Sequence, residues 1–169
     1  MLNELPRCEL QQQVTEVIQL VRDKQQTLGF AESCTGRLLS SLFTVTPGVS
    51  DIFIGSVVSY ANDVKTNVLG VRAEDIKSAG AVSDTVARQM AEGAKQVLKS
   101  KLAVAITGIA GPNGGSLEKP VGMVFIAVAG TKGETRVFHH LFSGSRKQIQ
   151  QQSCWQALEH LKNFLKKNY

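Results

Sequence analysis

Amide or ester chemistry without a metal needs a nucleophile beside a group that takes its proton, so the serines and threonines come first. Three loops concentrate them. Glu32-Ser33-Cys34-Thr35-Gly36 reads as a strand-to-helix turn dense in hydroxyls, with free amides at the helix start. It suits an anion or substrate, and it equally suits a plain helix cap. It does not match G-x-S-x-G, because Ala31 stands where that motif needs glycine. The second loop runs from Thr107 and Gly108 through Gly111 to Gly115. Successive glycines let backbone N–H groups converge on a phosphate or carboxylate, or simply make a solvent loop. It is neither a Walker A loop nor a G-x-G-x-x-G fingerprint. The third is Ser143-Gly144-Ser145-Arg146, where a cation opposes the dipole of the helix it opens. Arg146 is therefore better placed to grip an anion than to stabilise the fold.

Two serine–lysine pairs compete as nucleophile and base. Ser116-Leu117-Glu118-Lys119 matches S-x-x-K in letters, but that motif needs a helix, and Gly114-Gly115 and Pro120 argue against one. Ser50 and Lys65 are a better pair in kind. Ser50 follows the Pro47-Gly48 turn, and Lys65 sits among Val64, Val68 and Leu69, an apolar setting that favours the neutral amine. Spacing alone does not separate this pair from ordinary surface residues. A metal site is not expected. Cys8, Cys34 and Cys154 are far apart, and the adjacent His139 and His140 point to opposite faces of a strand.

Composition narrows the class. The 169 residues are 43% hydrophobic and 20% charged, which fits one domain, 1–169, with a real core. No run approaches the roughly 18 apolar residues of a membrane span, and the start MLNELPRCELQQQ has no apolar signal region. A cytoplasmic protein with reduced thiols and no membrane partner is expected. The net charge is +5, of which residues 145–169 hold +4. Nucleic acid is not expected as a partner, since only 6% of residues are aromatic and no helix-turn-helix or RNP-like pattern appears.

The elements that must position these loops follow from hydrophobic period. Residues 10–27 carry Val14, Val17, Ile18 and Val21 at helical spacing, stopping before Gly29. A short strand starts at Phe30, and Leu38, Leu39, Leu42 and Phe43 stripe a second helix. Ile54 to Ala61 reads as a strand, Asn62 as the cap of a short helix, and 73–79 as a turn or two more. Ser83 caps a helix with an apolar face of Val86, Ala87, Met90, Ala91, Ala94, Val97 and Leu98. Leu102 to Ile109 is apolar throughout, as in a central strand covered on both faces. Met123–Ala129 and Arg136–Phe142 form a hairpin, and Ser145 caps a last helix. The alternation predicts α/β class, a three-layer α/β/α sandwich with a mixed, mostly parallel sheet. Trp155, Leu158, Leu161, Phe164 and Leu165 put apolar residues on more than one side of the last helix, which suits a homodimer contact or simple core packing.

Read together, AESCTG (31–36), PGVSDIFIGSVVSYANDVK (47–65), GAVS (80–83), ITGIAGPNGG (106–115), KPVGMVF (119–125) and FSGSR (142–146) resemble the CinA C-terminal domain family. Stand-alone members of that family include bacterial amidohydrolases of nicotinamide mononucleotide (NMN). The resemblance implies hydrolysis of the NMN carboxamide to nicotinic acid mononucleotide and ammonia, in pyridine-nucleotide salvage, with no cofactor and no metal. Carried over by position, it implies Ser50 as nucleophile, Lys65 as base and Tyr60 in support. It implies substrate contacts from Glu32, Ser33, Thr35, Gly36, Thr107, Gly108, Gly111 and Arg146, and a homodimer. The alternative is a nucleotide-binding or regulatory member that keeps the pocket without turnover. Two departures bear on the substrate: Arg37 stands where a second glycine is usual, and Ser145 where an acidic or amide residue is common. Arg146 then suits a substrate phosphate, while Lys162, Lys166 and Lys167 complement the dipole at the far end of the same helix.

Overall fold

The sheet is laid out from β1 (Leu28–Glu32), whose five residues are all buried. It pairs in parallel with β2 (Phe53–Val58) on one side and β3 (Leu102–Gly108) on the other. β4 (Met123–Ala129) runs antiparallel to β3, and β5 (Thr135–Leu141) turns back beside β4. The order β2-β1-β3-β4-β5 leaves β4 as the single reversed strand in a mixed, mostly parallel sheet. The computed structural model describes residues 7–169.

Period-two alternation sorts the two faces by size. Phe30, Leu102, Val104, Ile106, Val124, Ile126 and Val128 point to one core, which α1 (Arg7–Asp23), α2 (Leu38–Thr44) and α6 (Arg146–Asn168) close. Ala31, Ala103, Ala105, Ala127 and Ala129 point to the other, under α5 (Asp84–Leu98). The crossover from β2 to α5 adds α3 (Asn62–Asn67) and α4 (Ala73–Ala79), with Leu69, Val71 and Ile76 joining that second core. Small side chains on this face let α5 lie close. At Gly93 a β-carbon would sit 1.9 Å from the Leu69 carbonyl oxygen. Gly93→Ala must push backbone against backbone, so we expect a loss of about 1–3 kcal/mol, read as a Tm drop of roughly 2–12 °C. An unchanged melting temperature would contradict this packing.

Local signals and tertiary packing disagree in a few places. α1 ends at Asp23, because Gln25 takes a left-handed conformation (φ 52) and Gln26 N–H bonds back to Val21 O. Gly29 is therefore no helix stop. It lies inside β1, where a β-carbon would meet Leu98 Cδ1 at 2.6 Å. Asn62 is the first residue of α3, with Ala61 at the capping position and no side-chain cap. Val97 is 48% exposed. The caps at Ser83 and Ser145 form as expected, the latter as a reciprocal capping box with Gln148. Leu158, Leu161, Phe164 and Leu165 are buried in this chain's own core, so they supply no flank for a second copy. Among the described residues, no helix is long and apolar enough to cross a membrane.

Candidate active site

The three parallel strands end side by side, and each end delivers a polar residue to the same edge, where α/β sheets bind ligands. Ser33 N–H donates to Ile106 O (3.0 Å), carrying β1 pairing one residue further and setting Ser33 beside Thr107. Ser59 N–H donates to Glu32 O (2.8 Å), which fixes the exit of β2 against the exit of β1. Between these ends opens a cavity of about 260 Å³, lined by Ser33, Cys34, Tyr60, Asn62, Lys65, Thr107, Gly108, Gly111, Asn113 and Arg146, among others.

Lys65 is its chemical centre. The side chain is 1% exposed. Its Nζ lies 2.6 Å from Ser59 O, 3.3 Å from Tyr60 O and 3.1 Å from Ser33 Oγ. Among the described residues no carboxylate forms an ion pair with it. Burial pulls its pKa below the ordinary lysine value, and the charge of the Cys34 thiol when ionised acts weakly the other way. A neutral amine has two N–H groups and one lone pair. The protonated amine donates to Ser33 Oγ as well; in the neutral form the N–H groups go to the two carbonyls and leave the lone pair for the Ser33 hydroxyl. That is the arrangement of a base poised to take a serine proton.

Ser33, and not Ser50, is therefore the hydroxyl that this chain brings to Lys65. Ser50 is exposed in a single 3-10 turn (Val49–Asp51) that precedes β2, whereas Lys65 follows it. Six strand residues separate the two ends of β2, about 20 Å at ~3.3 Å each. The Ser116 and Lys119 match is also no dyad. Ser116 Oγ accepts from Lys119 N–H in a turn, and Lys119 Nζ is drawn off to Ala79 O and Val82 O.

Glu32 does not face substrate. It is fully buried, and its carboxylate accepts from Thr35 Oγ1 (2.8 Å), Leu39 N–H (3.0 Å), Ser40 N–H (2.8 Å) and Ser56 Oγ (3.5 Å). It caps α2 from the strand below and holds the turn that presents Ser33. Thr35, whose hydroxyl is spent on Glu32, and Gly36 line a neighbouring cavity instead.

The opposite wall is built by the glycine loop. Gly108 and Gly111 have no room for side chains: a β-carbon would meet Val124 Cγ2 at 2.6 Å and Val121 Cγ1 at 2.5 Å respectively. Thr107 Oγ1 donates to Ala81 O (2.9 Å), tying this wall to the segment before α5. Arg146 reaches across from α6, donating to Gly111 O (2.9 Å) and to the Tyr60 hydroxyl (3.2 Å). Tyr60 is 63% exposed at the rim. The Cys34 thiol, also at the wall, is pushed by burial up to about 12, so it stays protonated near neutrality. Asn62 and Asn113 were not singled out by sequence: one reads as a cap, the other as a loop residue, and only the fold turns both toward Lys65's cavity.

Among the described residues no group of three or more His, Cys, Asp or Glu side chains could hold a metal ion. His139 stacks on Phe125, while His140 Nε2 lies 2.8 Å from His160 Nε2 of α6.

The family model of the CinA C-terminal domain matches residues 10–165. A CinA-like protein of Thermotoga maritima is 46% identical over 150 residues, covering 89% of this chain and 36% of that protein. A CinA-like protein of Trichormus variabilis is 48% identical over 149 residues, covering 87% and 36%. The chain thus spans about a third of the length of the curated relatives it matches. The crystal structure of competence/damage inducible protein CihA from Agrobacterium tumefaciens superposes with a TM-score of 0.90 at 35% identity, covering 98% of this chain and 99% of that one. That of competence damage-inducible protein A (ComA) from Klebsiella pneumoniae gives 0.91 at 28%, covering 95% and 99%. With the sheet order, the strand-end cavity and these likenesses together, this chain belongs to the CinA C-terminal domain family.

Proposed function

We propose that this domain is a nicotinamide-nucleotide amidohydrolase, converting the carboxamide of NMN to a carboxylate with release of ammonia. The observation that carries the reading is Lys65: a buried amine, unpaired with any described carboxylate, 3.1 Å from Ser33 Oγ at the edge of a cavity. Neutral Lys65 takes the Ser33 proton as Oγ attacks the amide carbon. The protonated lysine then gives that proton to the departing nitrogen, and ammonia leaves an acyl-Ser33 ester. Water, deprotonated by the same amine, cleaves the ester and restores Ser33. Arg146, held between Gly111 O and Tyr60, stands at the cavity edge where a substrate phosphate is matched by a fixed guanidinium. The homodimer and the cytoplasmic setting belong to the same proposal.

The test is ammonia release from NMN by the purified chain. Saturable NMN binding without ammonia would instead favour a pocket that binds and does not turn over.

The base must be neutral, which fixes the pH dependence. We expect kcat/KM to rise with pH and level off at the depressed pKa of Lys65, below the ordinary lysine value of 10.5. Stability follows the same sign. Between the folded pKa and 10.5 the unfolded chain binds more protons than the native one, so stability rises with pH across that window and falls as pH drops through it. A rate that falls on raising pH from neutral to that range would contradict Lys65 as base.

A further inference from the structure

The turn from Ser116 to Lys119 takes no part in the dyad, and its lysine is committed to another wall of the reactive cavity. The turn closes on itself: Ser116 N–H donates to Lys119 O (2.9 Å) and Lys119 N–H to Ser116 Oγ (3.0 Å). From it the side chain reaches the connection between α4 and α5, where Nζ donates to Ala79 O and to Val82 O, the latter at 2.8 Å. The connection passes directly against the amine. Gly80 lies there at φ 78, and a β-carbon on it would sit 2.6 Å from Lys119 Nζ. Four successive carbonyls in this stretch accept from side chains: Ala79 and Val82 from Lys119, Gly80 from Ser83 Oγ (2.9 Å) and Ala81 from Thr107 Oγ1 (2.9 Å). A segment with no ladder of its own takes its position from the donors that reach it, and a charged donor holds most strongly. Lys119 supplies two of these four bonds and is the charged one of the three donors.

Ala81 and Val82 line the reactive cavity together with Thr107, Asn113 and Gly114, the last two from the loop that ends at Lys119. We propose that Lys119 is a positioning residue: by strapping the glycine loop to the α4–α5 connection, it sets the wall of Ala81 and Val82 against which the substrate binds. This rests on the reading that NMN occupies the cavity with its carboxamide at Ser33. The dyad stands on other supports. Ser33 is fixed by its N–H on Ile106 O, and Lys65 by Ser59 O and Tyr60 O, groups to which Lys119 makes no hydrogen bond. Loosening the strap therefore weakens substrate binding and leaves proton transfer in place.

The test compares Lys119→Met, which keeps the length of the side chain and removes its donors, with Lys119→Arg, which keeps a charged donor. Lys119→Met is expected to raise KM for NMN about tenfold with kcat within about threefold of the parent, and Lys119→Arg to recover most of that loss. Leu117→Ala, at the fully exposed tip of the same loop, should leave both constants within about twofold. A second measurement needs neither ligand nor turnover. Hydrogen exchange is read at the Gly80 and Ala87 amides, which bond to Ile76 O and Ser83 O on either side of the connection. It should quicken about tenfold in Lys119→Met and stay unchanged at Phe30 in β1. A loss confined to kcat, an Arg variant no better than the Met variant, or unchanged exchange at Gly80 and Ala87 would overturn the proposal. The two readings fail separately. Faster exchange in Lys119→Met of a chain that releases no ammonia keeps the strap and removes the amidohydrolase; ammonia release with unchanged exchange does the reverse.

Discussion

Ser33→Ala is expected to lower kcat for ammonia release by about 10⁴-fold or more, the scale on which removing a covalent nucleophile acts. Ser50→Ala, measured beside it, should stay within about threefold of the parent, since an exposed residue so far from the cavity holds neither substrate nor base. The contrast matters because the family resemblance implies Ser50 as nucleophile and Ser33 as a substrate contact, whereas it is Ser33 that touches Lys65. Folding should not confuse the outcome. Ser33 Oγ has Lys65 as its hydrogen-bond partner, and the buried Lys65 amine keeps its bonds to Ser59 O and Tyr60 O when that hydroxyl is gone. Circular dichroism and melting temperature close to the parent would accompany the loss of rate. Full activity in Ser33→Ala, or the loss falling on Ser50→Ala, would remove Ser33 as nucleophile.

The largest effect on stability is expected at Glu32. Glu32→Ala deletes the acceptor of the Leu39 and Ser40 amides and of the Thr35 hydroxyl at a fully buried position. Each donor left without a partner costs about 1–3 kcal/mol, and relaxation of the turn recovers part of the sum. The lost negative charge under the start of α2 adds a smaller amount. A total of about 3–5 kcal/mol corresponds to a Tm lower by roughly 6–20 °C at this chain length. Glu32→Gln should fall between, because an amide oxygen still accepts while its NH₂ faces the helix amides. Glu32 does its work through Ser33, so the Gln variant should also lose kcat with little change in KM. A melting temperature within 2 °C of the parent for Glu32→Ala would mean that the carboxylate caps nothing essential.

Much of the framework is readable residue by residue. The run from Leu102 to Ile106 is apolar because both of its faces are covered, and its alternation of Leu102, Val104 and Ile106 with Ala103 and Ala105 already separates a bulky core from a thin one. The caps at Ser83 and Ser145 are local hydrogen bonds, so local sequence suffices to find them. The walls of one cavity were legible too. The three loops with unusual chemistry, at Ser33, at Gly108 and at Arg146, all line the reactive cavity. Gly29 and Gln25 were not legible, because what stops α1 is a left-handed glutamine and what requires Gly29 is Leu98, sixty-nine residues away.

By itself, then, the sequence determined the layers and the strand-end loops, since each follows from period, capping and the burial of apolar stripes along a continuous stretch; Lys65 as base came from the resemblance to the CinA C-terminal domain family. Which serine meets Lys65 was decided by the tertiary structure alone. Ser33 and Lys65 are 32 residues apart, and they touch because β1 and β2 lie parallel and in register, with Ser59 N–H on Glu32 O. Ser50 is nearer to Lys65 along the chain but enters the same strand from its other end. Parallel pairing sends chain neighbours to opposite edges of the sheet and brings distant strand ends together.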